Sequence, residues 1–146
     1  MRQYAGPLFP RGQRVAALIM TPVACAIIED ESGRVLLAKR PEGKCLGGFW
    51  EFPGGKIEAG ESAEAALVRE LEEELLIQTQ IIQTLEAVEH HYEKFSIRLI
   101  PCRAKILAGV PTPMEHSDLG WFPLQEIAIE TLAPADVPIL GQLLKQ

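Results

Sequence analysis

The chain is poor in cysteine and in clustered basic residues, and it has no long apolar run. Its three cysteines, Cys25, Cys45 and Cys102, are odd in number and far apart. They show neither zinc-ligand nor redox spacing, so reduced thiols in a cytoplasmic protein are expected. Fourteen Lys and Arg face twenty Asp and Glu, for a net charge of −6 with no long basic block. Stable binding to a nucleic-acid duplex is excluded on that ground, because neutralising phosphates takes clustered cations. A small phosphorylated substrate stays open, since a divalent metal can supply the positive charge. No stretch reaches the roughly 18 apolar residues of a membrane span. Arg11 and Arg14 before VAALIMTPVACA resemble a signal peptide, but Thr21-Pro22 interrupts the run. Cleavage near Cys25 would also remove a strand that the core needs. No repeat or low-complexity tract is present.

What is there suits a single folded domain. At 146 residues and 47% hydrophobic content the chain can bury one core. Residues 1–20, with Gly6, Pro7, Pro10 and Gly12, read as an N-terminal extension to a domain at 21–146. Val23–Glu29 and Val35–Ala38, separated by the turn Asp30-Glu31-Ser32-Gly33, predict a β-hairpin. Phe49–Phe52 predicts a short aromatic strand that runs into a Gly54-Gly55 turn. Gln80–His91 and Phe95–Ile106 predict a second hairpin, Gly120–Phe122 a strand and Leu124–Ile129 a short helix. Ala135–Leu144 predicts a terminal helix with Pro138 in its first turn. Strands around one central helix with another helix at the end indicate an α+β domain.

The central helix is predicted from an N-cap at Ser62 and carries the chemistry. At about 100° per residue, Glu70, Glu73 and Glu74 share one arc beside an apolar stripe of Leu67, Val68, Leu71 and Leu75. Glu72 points away. Such an arc is either a solvated acidic face or a holder of a hard cation, Mg²⁺ or alternatively Mn²⁺. Arg69 and Glu61 are spaced to reach each other from helix to loop.

In register, Gly55, Glu61, Arg69-Glu70-Leu71, Glu73-Glu74 and Ile77 resemble the box of the Nudix hydrolase family, G-x5-E-x7-R-E-U-x-E-E-x-G-U, with U a bulky apolar residue. One specified position departs: Leu76 stands where the box has glycine. A left-handed Leu there is strained by about 1 kcal/mol, unless the helix runs on or ends differently. The resemblance covers roughly residues 22–145 and extends to the MutT-like branch through WEFPGGKIEAGES and Lys39-Arg40-Pro41. It implies an α/β/α sandwich with a mixed sheet between the box helix and the C-terminal helix.

It also implies roles. Glu70, Glu73, Glu74, the Gly54 carbonyl and Glu115, six residues before Trp121, would hold the metal. Arg69 and Glu61 would orient the glutamates, and Glu115 would assist the attacking water. Arg40 would contact phosphate, as against being a solvent-exposed strand-end Arg. Glu51, Phe52 and Pro53 would border the nucleoside, although Phe52 also suits a core position. Cys45 lies in the loop on the substrate side but has no nearby base to make it a nucleophile. Asp136, within Leu132–Pro138, falls where the branch reads its base; the competing reading is a helix cap. Relatives associated with 8-oxo-dGTP carry Asn there, and Ala-Pro-Ala-Asp is more like those that take cytidine triphosphates. His90-His91 fit sheet or surface positions.

The expectation is therefore a Mg²⁺-dependent nucleoside triphosphate pyrophosphohydrolase that clears oxidised nucleotides such as 8-oxo-dGTP from the pool, a DNA-repair-related task. The alternatives are a (d)CTP or 5-substituted (d)CTP pyrophosphohydrolase, and a non-catalytic nucleotide-binding module. Monomer and homodimer both stay open.

Overall fold

The computed structural model describes residues 20–146, and the expected N-terminal extension lies outside them except for Met20, which opens the first strand. The elements are β1 (Met20–Ile28), β2 (Val35–Lys39), β3 (Trp50–Glu51), β4 (Gly54–Lys56), α1 (Ala63–Leu75), β5 (Gln78–Thr84), β6 (Val88–His91), β7 (Ser96–Ala108), β8 (Asp118–Phe122) and α2 (Val137–Leu144). Strands form two sheets. One is five-stranded and mixed, in the order β4-β1-β7-β5 with β6 also on β7; the other is three-stranded, β3-β2-β8.

β1 is the hinge between two cores. It runs parallel to β7 and antiparallel to β4. Cys25 and Ile27 face a core closed by Ile139, Leu140 and Leu143 of α2. Ala24, Ala26 and Ile28 face the opposite way, against Leu67, Leu71 and Leu75 of α1. Each of these buried leucines contributes about 1.5–3 kcal/mol by leaving water. A strand covered on both faces reads as a continuous apolar run, as VACAII does. The layers are thus helix, sheet, helix.

Several local expectations are corrected. β1 and β2 form no hairpin ladder; beyond one bridge, Glu29 to Val35, the chain passes from one sheet into the other. Val35–Ala38 is buried throughout, so β2 has no polar face to present to solvent as a hairpin edge would. Gly54-Gly55 is not a turn but part of β4, in register with Cys25 and Ala24. The Gln80–His91 stretch breaks at residues 85–87. Opposite this break lies Pro101 of β7, whose carbonyl accepts from Leu85 N at 2.8 Å. Proline offers no N–H on that side, so the ladder stops at Thr84 and resumes at Val88. The helix expected at Leu124–Ile129 is instead two 3-10 turns, Leu124–Glu126 and Ile129–Thr131.

The end of α1 decides the Leu76 question. Ser62 Oγ accepts from Ala65 N at 3.0 Å and starts the helix. Leu76 ends it in the left-handed region, at φ 59° and ψ 35°, with its N–H on the Glu72 carbonyl at 3.1 Å. The chain keeps the glycine's conformation without the glycine. Two carbonyls left over at the helix terminus are taken by the loop before β8: Thr112 N donates to Leu75 O at 2.9 Å and Met114 N to Glu74 O at 3.1 Å. Leu76 is half exposed, so its side chain recovers little by burial. Leu76→Gly therefore stabilises by about 0.5 kcal/mol, the left-handed penalty less glycine's extra unfolded-state entropy. Leu76→Val, β-branched, destabilises by about 1 kcal/mol in the same geometry. Thermal unfolding of the two variants checks both signs.

Candidate active site

The site is built where β4, α1 and the loop between β7 and β8 meet. β4 lies so close to β1 that a Cβ on Gly54 would overlap the Ala24 carbonyl. On Gly55 it would overlap the Glu70 carboxylate. These two glycines are required for close approach and not for turning. The space that Gly55 leaves is filled by a carboxylate.

Arg69 organises that carboxylate. Its Nε and Nη2 donate to the two oxygens of Glu61 at 2.7 and 2.8 Å, and Nη1 donates to Glu70 Oε1 at 2.7 Å. The fork-to-carboxylate geometry fixes the guanidinium against the loop before α1. Hydrogen bonds from Arg69, then from the Glu58 N–H, which Glu61 Oε1 accepts at 2.9 Å, hold the Glu61 carboxyl down at about 2. Glu70 thus has one oxygen committed to Arg69, and its carboxylate packs on Gly55.

The three glutamates of the expected arc are not equivalent. Glu70 is 14% exposed, but Glu73 is 60% exposed and leans on Arg69 Nη1 at 3.4 Å. Glu74 is the third, and burial pushes its carboxyl up to about 9, reinforced by its hydrogen bond with Glu70 and by the charges of Glu70, Glu115 and Glu51. Glu115 comes from the loop that caps α1, and the Met114 N–H on Glu74 O sets its position. Among the described residues no three acidic, His or Cys side chains already stand around one point at ligating distance. The donor set nevertheless suits a hard divalent cation. Its carboxylates are hard oxygen donors, Glu74 is hydrogen-bonded to Glu70 and feels the charge of Glu115, and the raised Glu74 carboxyl marks a group short of positive charge.

Beside this acidic group lies a cavity of about 410 Å³. Its polar lining includes Arg40, Glu51 and Asp136, and its aromatic lining Phe52, Tyr92 and Phe95; Gly54, Gly55 and Lys56 form the rim next to α1. Asp136 caps no helix: it makes no side-chain cap bond to α2, and its Oδ2 accepts from Phe52 N at 2.8 Å. Burial and the nearby Glu51 push the Asp136 carboxyl well above the usual range, against the opposing effects of Phe52 N–H and Arg40. Phe52 is both cavity wall and core, and Pro53 is buried, its carbonyl accepting from Ala26 N at 2.8 Å.

Arg40 points to Glu51, with Nη1 at 3.2 and 3.4 Å from the carboxylate oxygens, and Nε donates to the Cys45 carbonyl at 2.6 Å. Cys45 therefore meets the site through its backbone as well as lining the cavity. Neither His90 nor His91 lines the cavity: His90 packs on Tyr92, and His91 Nδ1 bonds Ser96 Oγ at 2.7 Å.

Sequence reasoning missed Tyr92, Phe95 and His116. Tyr92 oxygen accepts from Ala135 N at 3.0 Å, tying the β6–β7 turn to the Asp136 segment. His116 Nε2 lies 3.0 Å from Glu51 Oε2 with the ring nearly buried. Both depend on contacts across more than forty residues of sequence, which no spacing rule reveals; adjacency to Glu115 was the one local sign for His116.

Comparison with known proteins agrees with this geometry. A model of the NUDIX domain matches residues 23–142. The CTP pyrophosphohydrolase of Escherichia coli is 42% identical over 124 residues, 83% of this chain and 89% of that one. The 8-oxo-dGTP diphosphatase of the same organism is 31% identical over 121 residues, 83% and 94%. The solution structure of the E. coli ORF135 protein superposes with a TM-score of 0.75 at 36% identity, covering 88% of this chain and 91% of that one. A family-model match across nearly the whole described chain, with relatives at this identity and coverage, shows the family: the chain belongs to the NUDIX domain family of hydrolases.

Proposed function

We propose that the protein is a Mg²⁺-dependent nucleoside triphosphate pyrophosphohydrolase that removes damaged nucleotides such as 8-oxo-dGTP from the nucleotide pool. The observation that carries it is the placement of the Glu70–Glu74–Glu115 group against the rim of a nucleoside-sized cavity ending in Asp136. Water replaces pyrophosphate at the broken anhydride bond, yielding the nucleoside monophosphate, pyrophosphate and a proton.

Glu70, Glu73, Glu74 and Glu115, with the Gly54 carbonyl, are the groups that would hold Mg²⁺, or Mn²⁺ in its place. When bound, the ion neutralises phosphate charge and lowers the pKa of water, which is most of what this reaction needs. The chain's own residues position. Arg69, braced by Glu61, fixes Glu70 against Gly55. Glu115 takes the proton of the attacking water. Arg40 presents its uncommitted Nη2 to phosphate while Glu51 and the Cys45 carbonyl hold the rest of the guanidinium. Phe52, Pro53, Tyr92 and Phe95 exclude water from around the base, and Asp136 reads its edge.

A second reading has a specific observation behind it. Asp136 stands where relatives associated with 8-oxo-dGTP carry Asn, and the 42% identical relative is a CTP pyrophosphohydrolase. A carboxylate accepts the amino group of cytosine; a neutral carboxyl also donates, and so suits a carbonyl edge. Comparing kcat/KM across 8-oxo-dGTP, dGTP, dCTP, CTP and 5-methyl-dCTP tests the choice. The first reading requires 8-oxo-dGTP to exceed dGTP and every cytosine nucleotide by at least about tenfold. Cytosine nucleotides ahead by that margin would establish the second. A NUDIX module that only binds would show no turnover of any of them. A role in the cytoplasm fits the reduced cysteines, and no helix among the described residues is long and apolar enough to cross a membrane.

A further inference from the structure

We propose that His116 is a positioning residue for nucleotide binding: it pins Glu51 in the cavity wall and so joins the loop that carries Glu115 to the pocket that takes the base. The inference rests on the cavity being the nucleoside site.

Glu51 is the hub of the cavity. Arg40 holds its carboxylate from one side at 3.2 Å, and His116 Nε2 holds Oε2 from the other at 3.0 Å. Its charge reaches Asp136, Tyr92 and Cys25 on the pocket side and Glu74 on the acidic side. Where Glu51 stands therefore sets both where Arg40 points and what Asp136 faces.

His116 is placed for this from outside the pocket. Its loop is tied to α1 through Thr112 N on Leu75 O and Met114 N on Glu74 O, and to β2 through Ser117 N on Lys39 O at 2.9 Å. Between these ties the ring turns inward, with only 6% of its side chain exposed. Facing a carboxylate, Nε2 is the donor, because a carboxylate only accepts. Nδ1 is buried with no partner among the described residues. An apolar ring would fill the space without leaving a buried nitrogen unsatisfied. Among the described residues the imidazole's one polar contact is Glu51, which marks that contact as its purpose.

The test compares His116→Leu, which removes the donor, with His116→Gln, whose amide nitrogen occupies the Nε2 position. Calorimetry with the nucleoside monophosphate of the preferred substrate, in chelator, reads the pocket without turnover; steady-state kinetics with Mg²⁺ read KM and kcat. His116→Leu should weaken monophosphate binding and raise KM by about tenfold, with kcat within about threefold of wild type. His116→Gln should recover most of that loss. In a Glu51→Gln background, His116→Leu should add less than about twofold, since both variants act on one contact. Should the leucine variant not fold, His116→Asn replaces it, its amide being too short to span to Glu51. Full additivity with Glu51→Gln would overturn the proposal. So would a loss confined to kcat or to metal dependence, or a Gln variant as impaired as the Leu or Asn one. Wild-type protein that binds no monophosphate would instead overturn the base-pocket reading itself.

Discussion

Glu74→Gln lowers kcat with Mg²⁺ by at least about 10³-fold while leaving the fold intact, several kcal/mol of transition-state stabilisation being at stake. The size follows from where the carboxylate sits. Glu74 lies among Glu70, Glu115 and Glu51, and burial with these neighbours pushes its carboxyl up to about 9. Without a cation the group is a source of instability; with one bound, Glu74 would serve as a ligand. Activity and stability should therefore move in opposite directions. The sign for the metal-free protein is fixed by the raised carboxyl. Its contribution is fully present below the ordinary Glu range and is lost as pH rises towards about 9. Glu74→Gln has no such loss, so in chelator it should melt at or above the wild-type temperature at pH 8. It should also forfeit most of the Tm increase that Mg²⁺ gives wild type, because ligand stabilisation scales with occupancy. A variant that is inactive and also less stable in chelator would show Glu74 to be structural. Glu73→Gln should lose less than Glu74→Gln, since Glu73 stands 60% exposed against Arg69.

Asp136→Asn changes base selectivity by about 10–100-fold, since leaving a buried donor or acceptor unpaired costs about 1–3 kcal/mol. Asp136 spends one oxygen on Phe52 N. Asn keeps that bond with its only oxygen and turns its amino group to the cavity. It retains a donor and loses the acceptor. Cytosine nucleotides, which offer an amino group, should fall in kcat/KM; bases offering a carbonyl edge should hold or rise. Unchanged selectivity would remove Asp136 from base reading. Stability gives a second reading of the same residue. Its carboxyl is raised by burial, so its contribution is present below the ordinary Asp range and declines as pH rises from there. Between pH 5 and 8 the melting temperature of Asp136→Asn should fall less than that of wild type.

Much of the acidic half of the candidate site was legible because it is local. Gly55, Glu61, Arg69 and Glu70 lie within sixteen consecutive residues, and helix periodicity placed Glu70 and Glu74 together. Periodicity fixes an arc but not the rotamers within it, so it missed the outward lean of Glu73 towards Arg69. Gly54-Gly55 reads as a turn in the sequence because glycine serves turns and close approaches alike; only the neighbouring strand tells them apart. The β1–β2 hairpin failed for a similar reason. A turn signal fixes that the chain reverses, not which sheet receives it. Leu76 shows the opposite case, where the family geometry persisted against local preference because Thr112 and Met114 hold the helix end. The pocket half was the least legible. Tyr92 reaches Ala135 and His116 reaches Glu51 across distances in sequence that carry no pattern.

A clamped acidic group beside a nucleoside-sized cavity is thus expected to hydrolyse nucleotides between their phosphates with the help of a divalent cation. ³¹P NMR of wild-type protein with its preferred nucleoside triphosphate and Mg²⁺ tests this directly. The expected products are nucleoside monophosphate and pyrophosphate in equal amounts, absent in chelator and in Glu74→Gln. Orthophosphate and a nucleoside diphosphate as products, or turnover that survives chelation, would contradict it.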